Sequence, residues 1–418
     1  MPAKKENKRW LYSIIPIAAT ASGISIIIPL YILLLGGTIL DVGIALAVFS
    51  LVSVPSSVLW GKLTDDIGRL KYFIIFSILG TFPVLGALLL LHTISSVILA
   101  FGFYAFVSSS SSPSLNLFIM GKRKDMLLAR YLSEYNILFF IGFFMAMVPG
   151  ALINESNLKY YIMFLLFANV MALLIAFVFI EEEEEIEAKK NRTGMQGLFP
   201  IIKTVRNVQH SFISHSLIER LQLITRNKRR INAYLLMLSI FLFNLGLYLF
   251  NTAYIPFLVN NSIGYNNVFI INVADGVGEI GIFLAIIYIA KGIDLHRYYH
   301  ASSILRAAAM AFIMLPLFVH GIGVSVLDNL AGYAVAGTAA ALWSISSYVL
   351  VYEMIRDAKE GKAGFYIGLF IAVIGASSFL GSLLAGAVSA SSGYGATFIF
   401  AIIVTLASSF VLVVEKRY

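Results

Sequence analysis

The chain has 418 residues, 59% of them hydrophobic and only 12% charged, with a mean hydropathy of +0.88. A soluble globular protein carries about 25% charged residues, so water is excluded as the main solvent, and at about 20 apolar residues per span there is room for about a dozen membrane helices. The net charge is +8, carried in short basic clusters between apolar runs, a distribution that suits one face of a membrane and argues against a nucleic-acid groove. The absence of cysteine excludes disulfides, thiolate catalysis and cysteine-ligated metals.

In chain order, hydropathy predicts twelve spans, at roughly 11–35, 43–60, 70–91, 95–119, 134–153, 159–180, 232–258, 267–290, 299–319, 326–352, 364–388 and 394–414. The opening MPAKKENKRW is basic, and the apolar run after it is too long for a cleavable signal and lacks a small-residue cleavage site. A retained first helix is expected. Of the 30 lysines and arginines, 28 fall in the tails and in the loops that alternate to one side, while Lys159 stands opposite and Arg306 lies within a span. By the positive-inside rule both termini and residues 181–231 are expected in the cytoplasm, with Trp10 and Trp60 at the inner interface, as in a multi-pass protein of the plasma membrane.

Residues 181–231 open with Glu181–Glu185 and close with Arg226–Arg230. Between them, the apolar spacing after Pro200 predicts an amphipathic helix along the membrane surface. The expected organisation is therefore a six-helix bundle (1–180), a cytoplasmic linker (181–231) and a second six-helix bundle (232–418). This is an all-α polytopic membrane protein whose two halves repeat with pseudo-two-fold symmetry.

Between the second and third spans the sequence reads GKLTDDIGRLK. It resembles the signature of the major facilitator superfamily, a Gly-x-Leu-x-Asp-x-x-Gly-Arg pattern followed by basic residues. Gly61, Leu63, Asp65, Gly68, Arg69 and Lys71 match, while Asp66 and Leu70 stand where basic residues are common. The two glycines suit a tight turn, and Asp65 suits a helix end. The resemblance implies that Gly61, Asp65, Gly68, Arg69 and Lys71 form a conformational latch closing the inner side. Its echo in the second half, AKGIDLHRYYH with Asp294 and Arg297, is degenerate.

The resemblance also implies that helices 1, 4, 7 and 10 line a central cavity flanked by helices 2, 5, 8 and 11. On helix 8, Asp275 and Glu279 are four residues apart, so they share one face about 6 Å apart along the axis. A charged acid at mid-membrane costs at least about 2.5–3.5 kcal/mol, and two neighbours repel, so one of the pair is expected to hold a proton. That suits proton coupling; the alternative is a static acid pair tied to Arg306, the candidate ion-pair partner on helix 9. Helix 7 carries Asn244, Tyr248, Asn251 and Tyr254 on one stripe, and helix 10 adds Tyr333 and Trp343. Together with Asn116, beyond the serine run 108–114 and its Pro113, these are the candidate cavity residues. On helix 11, Ser378, Ser382 and Gly386 recur every four residues as a small-residue packing face.

Helix 1 has no acid, helix 4 has no charge, and the six histidines lie at or outside span ends without forming a metal cluster. With no nucleophile–base–acid set, no cofactor motif and short loops, an enzyme is not expected. The sequence leads to a secondary transporter working by alternating access, with proton-coupled efflux of small amphipathic or cationic compounds as the first reading. A nutrient uptake symporter for a small neutral solute is the second, and a non-transporting membrane sensor or scaffold the third. The expected partners are a small-molecule substrate, protons and the lipid bilayer, with no nucleic acid, and the family resemblance implies a monomer.

Overall fold

The computed structural model describes residues 12–67, 70–111, 125–180, 232–289, 295–317, 324–357 and 363–415. Within them the chain is helical, and no strand is found among the described residues. The first half forms α1 (Ile14–Leu34), α2 (Ile39–Ile67), α3 (Leu70–Leu90), α4 (Ile94–Ser108), α5 (Asp125–Gly150) and α6 (Leu158–Phe179). The second half forms α7 (Ala233–Asn260), α8 (Tyr265–Ile289), α9 (Leu295–Met314), α10 (Val326–Asp357) and α11 (Ala363–Glu415). Gly393, at φ 82° and ψ 169°, breaks α11 into two arms; a side chain would be strained in that left-handed backbone. Twelve helical segments thus stand where twelve spans are predicted. Residues 181–231, including the expected surface helix, lie outside the described residues, as do Gly68, Arg69, Asn116 and Asp294.

Local chemistry sets several helix starts. At α2, Asp41 Oδ2 accepts from the backbone N of Thr38 at 2.7 Å and from its hydroxyl at 2.8 Å, one half of a capping box. Asn232 Oδ1 accepts from the amides of Tyr234 and Leu235 and fixes the start of α7. Two helices exceed their predicted spans. With 29 residues, α2 runs about 43 Å against a hydrocarbon core of about 30 Å. Gly61 is consequently helical instead of part of a turn, and Asp65 sits in the last turns of α2. Likewise α5 begins at Asp125, so Glu134 lies inside the helix instead of at its start. Backbone hydrogen bonding simply continues past the end of the apolar window.

Packing repeats between the halves. In the first, α1 packs on α5 and α6, α4 on α2 and α3, and α3 on α6; in the second, α7 packs on both arms of α11, α10 on α8 and α9, and α9 on α11. Glycines sit at matching contacts. The Gly23 Cα faces Tyr161 and Leu165 of α6, as Gly246 of α7 faces Ala401 and Thr405 of the second arm; Gly142 of α5 abuts Ile15 of α1, as Gly381 of the first arm abuts Leu245 of α7. Small residues at such points let backbones approach where no hydrophobic driving force exists between helices. Among the described residues the most extensive contacts between the halves are crossed, α2 with α11 and α5 with α8.

Large apolar side chains face outward, among them Leu90, Leu99, Leu152, Leu174, Phe177 and Phe410. Among the described residues, seven helical windows are long and apolar enough to cross a bilayer by themselves, and Ile94–Ser108 and Leu138–Gly150 are shorter apolar helices. The protein is a multi-pass membrane protein of two six-helix bundles.

Candidate functional site

The contacts between the halves that bound the interior begin at the end where α1 finishes and α2 starts. There the Tyr265 hydroxyl donates to Leu30 O at 3.3 Å, Tyr161 and Phe269 pack edge to face with centroids 4.8 Å apart, and Gly43 lies against Gly386. Deeper in, the hydroxyls of Ser50 on α2 and Ser378 on α11 meet at 2.6 Å. The small-residue face predicted on helix 11 is used here: Ser378 meets Ser50, Ser382 accepts from Thr252 at 3.1 Å, and Gly386 meets Gly43.

Beneath this closure, between the bundles, lies a cavity of about 750 Å³. Its first-half wall is aromatic and hydroxylic, with Phe49, Phe101 and Tyr104 beside Thr20, Ser25, Ser53 and Ser111. Its second-half wall carries Tyr248 and Asn251 from α7, Asn272 and Asp275 from α8, and Tyr333 from α10. Every ionisable acid or base on the described lining belongs to the second half apart from the Tyr104 phenol.

The predicted stripe on α7 divides. Tyr248 and Asn251 face the cavity. Asn244 is buried, with its amide donating to Ile240 O at 2.8 Å on its own helix. Tyr254 is fully buried, stacked on Tyr333 with centroids 4.5 Å apart, and its hydroxyl donates to Asn329 at 2.8 Å. Trp343 stacks on Phe243 at 4.6 Å in a cluster below the site. Lys71 donates to Phe177 O at 2.8 Å, at the C-terminal end of α6, where a cation offsets the unpaired carbonyls.

Asp275 lies on the cavity wall, and its Oδ1 is buried with no hydrogen-bond partner. Its position is set by glycines: a Cβ on Gly337 of α10 would collide with the Asp275 carbonyl, and one on Gly278 with that of Ala334. The two helices therefore pass backbone to backbone. Arg306 of α9 is buried, with 2% of its surface exposed. Its Nη2 donates to Asn251 Oδ1 at 2.8 Å, its plane lies 5.9 Å from the Phe250 ring centroid, and its Nε–H is unpartnered. The charge of Arg306 acts on both Asp275 and Glu279, yet its hydrogen bond goes to the neutral amide. A cation held on an amide and an unpaired carboxylate oxygen thus share one polar centre at the cavity edge.

Two bundles related by a repeat, with this cavity between them, are the architecture of a carrier. A family model described as Major Facilitator Superfamily matches residues 11–364. The chain belongs to the major facilitator superfamily. Along 93% of its length it is 23% identical to an uncharacterized MFS-type transporter of Methanocaldococcus jannaschii, of which 94% is covered. Its fold is similar to that of a peptide transporter POT variant (TM-score 0.72, 11% identity, covering 98% of this chain and 94% of that one). It is also similar to a variant of the nucleoside transporter NupG (TM-score 0.70, 13% identity, covering 97% and 98%). The human organic anion transporter MFSD10 is a more distant likeness (TM-score 0.58, 13% identity, covering 98% and 100%). As a superfamily member the chain is a secondary transporter of a small molecule.

Sequence reasoning named the serine run of helix 4, of which Ser108 and Ser111 line the cavity, but missed the hydroxyls that α2 adds to that wall. Ser50 and Ser53 stand three residues apart on α2, which is one helical face, and that spacing is the signal from which they could have been read.

Proposed function

We propose that this superfamily member is a proton-coupled carrier that exports small amphipathic compounds, neutral or cationic, by alternating access. The observation that carries this reading is Asp275 on the cavity wall, a half-buried acid whose inner oxygen, Oδ1, has no hydrogen-bond partner while Arg306 donates to Asn251. An acid so placed can take a proton or a substrate cation from the cavity, and either event changes its balance with Glu279 and Arg306. The aromatic first-half wall supplies apolar area for the rest of the substrate. In this reading residues 1–180 and 232–418 rock about the cavity, joined by residues 181–231. Asp65 with its neighbours Gly61, Gly68, Arg69 and Lys71 holds the inner side shut in the opposite state, and no chemical step is catalysed. The termini face the cytoplasm, the membrane is the plasma membrane and the working unit is a monomer.

A second reading, uptake of a small neutral solute in symport with protons, is favoured by the hydroxyls and amides that ring the cavity. The relatives named for peptides, nucleosides and organic anions share the fold at 11–13% identity and supply no substrate for this chain. Proton flux in proteoliposomes on adding candidate solutes, with wild type beside Glu279→Gln, tests the proposal. A solute-triggered flux that the variant loses supports coupling through helix α8. Binding without flux for every solute would overturn it.

A further inference from the structure

Hydrogen-bond polarity around the cavity narrows the substrate further, on the reading that this cavity is the substrate site. The serine hydroxyls of the first-half wall spend their protons on their own helices: Ser25 donates to Ser22 O at 2.7 Å and Ser53 to Ser50 O at 3.3 Å. Each is left with oxygen lone pairs and no proton for a ligand. The carboxamides follow the rule in part. Asn272 donates to Val268 O at 2.8 Å and Asn169 to Ile78 O at 2.9 Å. An amide oxygen facing a carbonyl would repel it, so the NH2 group must take that side; each amide spends one N–H there and keeps its carbonyl oxygen and a second N–H. Asp275, when ionised, offers only acceptors.

Donors are fewer. Arginine has no acceptor, so the Asn251 carbonyl faces Arg306 and its NH2 is left over. The phenols of Tyr104 and Tyr333 can turn either way. Tyr248 faces Ser378, and Ser50 donates to Leu46 O at 3.0 Å while sharing a hydrogen bond with Ser378. Either serine can donate to the other, so the Tyr248 phenol can give its proton to this row or turn it to the cavity.

We infer that the cavity is an acceptor-rich site selecting a cation that carries several N–H donors, a primary amine or guanidinium, over a quaternary ammonium of the same size and charge. A quaternary head satisfies the charge of Asp275 but leaves the serine and amide oxygens desolvated and unbonded. A site whose serine and carboxylate oxygens need donors rejects a ligand that lacks them far more strongly than it resolves small differences in apolar size.

The test is equilibrium binding to the purified full chain in detergent, using phenethylamine, tryptamine and dodecylamine, each beside its N,N,N-trimethyl counterpart. Within pairs the tail and the charge are nearly constant, so the ratio reads the donors alone. The amines should bind at least about tenfold more tightly, and Ser25→Ala should shrink that ratio by about half or more. Equal or inverted affinities within pairs would overturn the acceptor-site inference while leaving the cationic reading standing. Failure of all six to bind would overturn both.

Discussion

The side-chain oxygen of Asn251 accepts a 2.8 Å hydrogen bond from Arg306, so the buried guanidinium among the membrane helices is held by a neutral amide with two acids nearby. Asn251 is also part of the cavity wall. Whatever binds there touches the partner of the cation that acts on Asp275 and Glu279.

Removing that partner should be costly. Asn251→Leu leaves a buried charged donor without its acceptor and should destabilise the protein by about 1–3 kcal/mol. Arg306→Leu added to it should recover part of the loss, because the charge that needed a partner is then gone. Thermal unfolding of the three variants in detergent checks this; equal melting of Asn251→Leu and wild type would contradict it.

Asp275→Asn and Glu279→Gln should each abolish solute-driven proton movement while preserving binding or exchange. A pH-sensitive dye trapped in proteoliposomes follows the first, and counterflow of labelled solute the second. Normal acidification or alkalisation by both variants would make the pair structural.

A chain without cysteine is a clean background for cross-linking. The Ser50 and Ser378 oxygens stand 2.6 Å apart, close to the sulfur separation of a disulfide, about 2.05 Å. Ser50→Cys with Ser378→Cys should oxidise readily, pin α2 to α11 and stop transport until a reductant is added. Full transport by the oxidised pair would show that these helices do not part during the cycle.

Asp65→Asn should lower turnover at least about tenfold and leave substrate affinity within about twofold, since a latch acts on the barrier between states and spares the ground-state contacts that set affinity. Initial rates against substrate concentration separate the two effects. A raised half-saturation constant at unchanged maximal rate would move Asp65 from the latch to the binding path.

Much of the architecture is legible along the chain because a bilayer forces it. Each span must satisfy its own backbone and present apolar side chains to lipid, so hydropathy and the basic clusters alone give twelve helices and two halves. The Ser378, Ser382 and Gly386 face could also be read, because helix packing in lipid selects small residues at a fixed spacing. Trp60 illustrates what such reading lacks. Its position suggests an interface anchor, but its indole N–H donates to Phe106 O at 2.8 Å and its ring packs among Phe73, Phe76 and Phe106.

The cavity was only partly legible. Spacing placed Asn244, Tyr248, Asn251 and Tyr254 on one stripe, but a stripe on a tilted helix crosses from the cavity into the bundle, and only the neighbours decide which residue meets which. Tyr254 went to Asn329 and Tyr333, Asn244 to its own backbone, and Asn251 to Arg306. The sequence by itself determined the solvent, the number of spans, the repeat and the presence of two acids on α8, all of which follow from local composition and period. Only the tertiary structure decided that Arg306 binds an amide, that Ser50 meets Ser378 across the halves, and which hydroxyls have protons left to give. Those outcomes depend on distances between residues far apart in the chain, and helical periodicity carries no information about them.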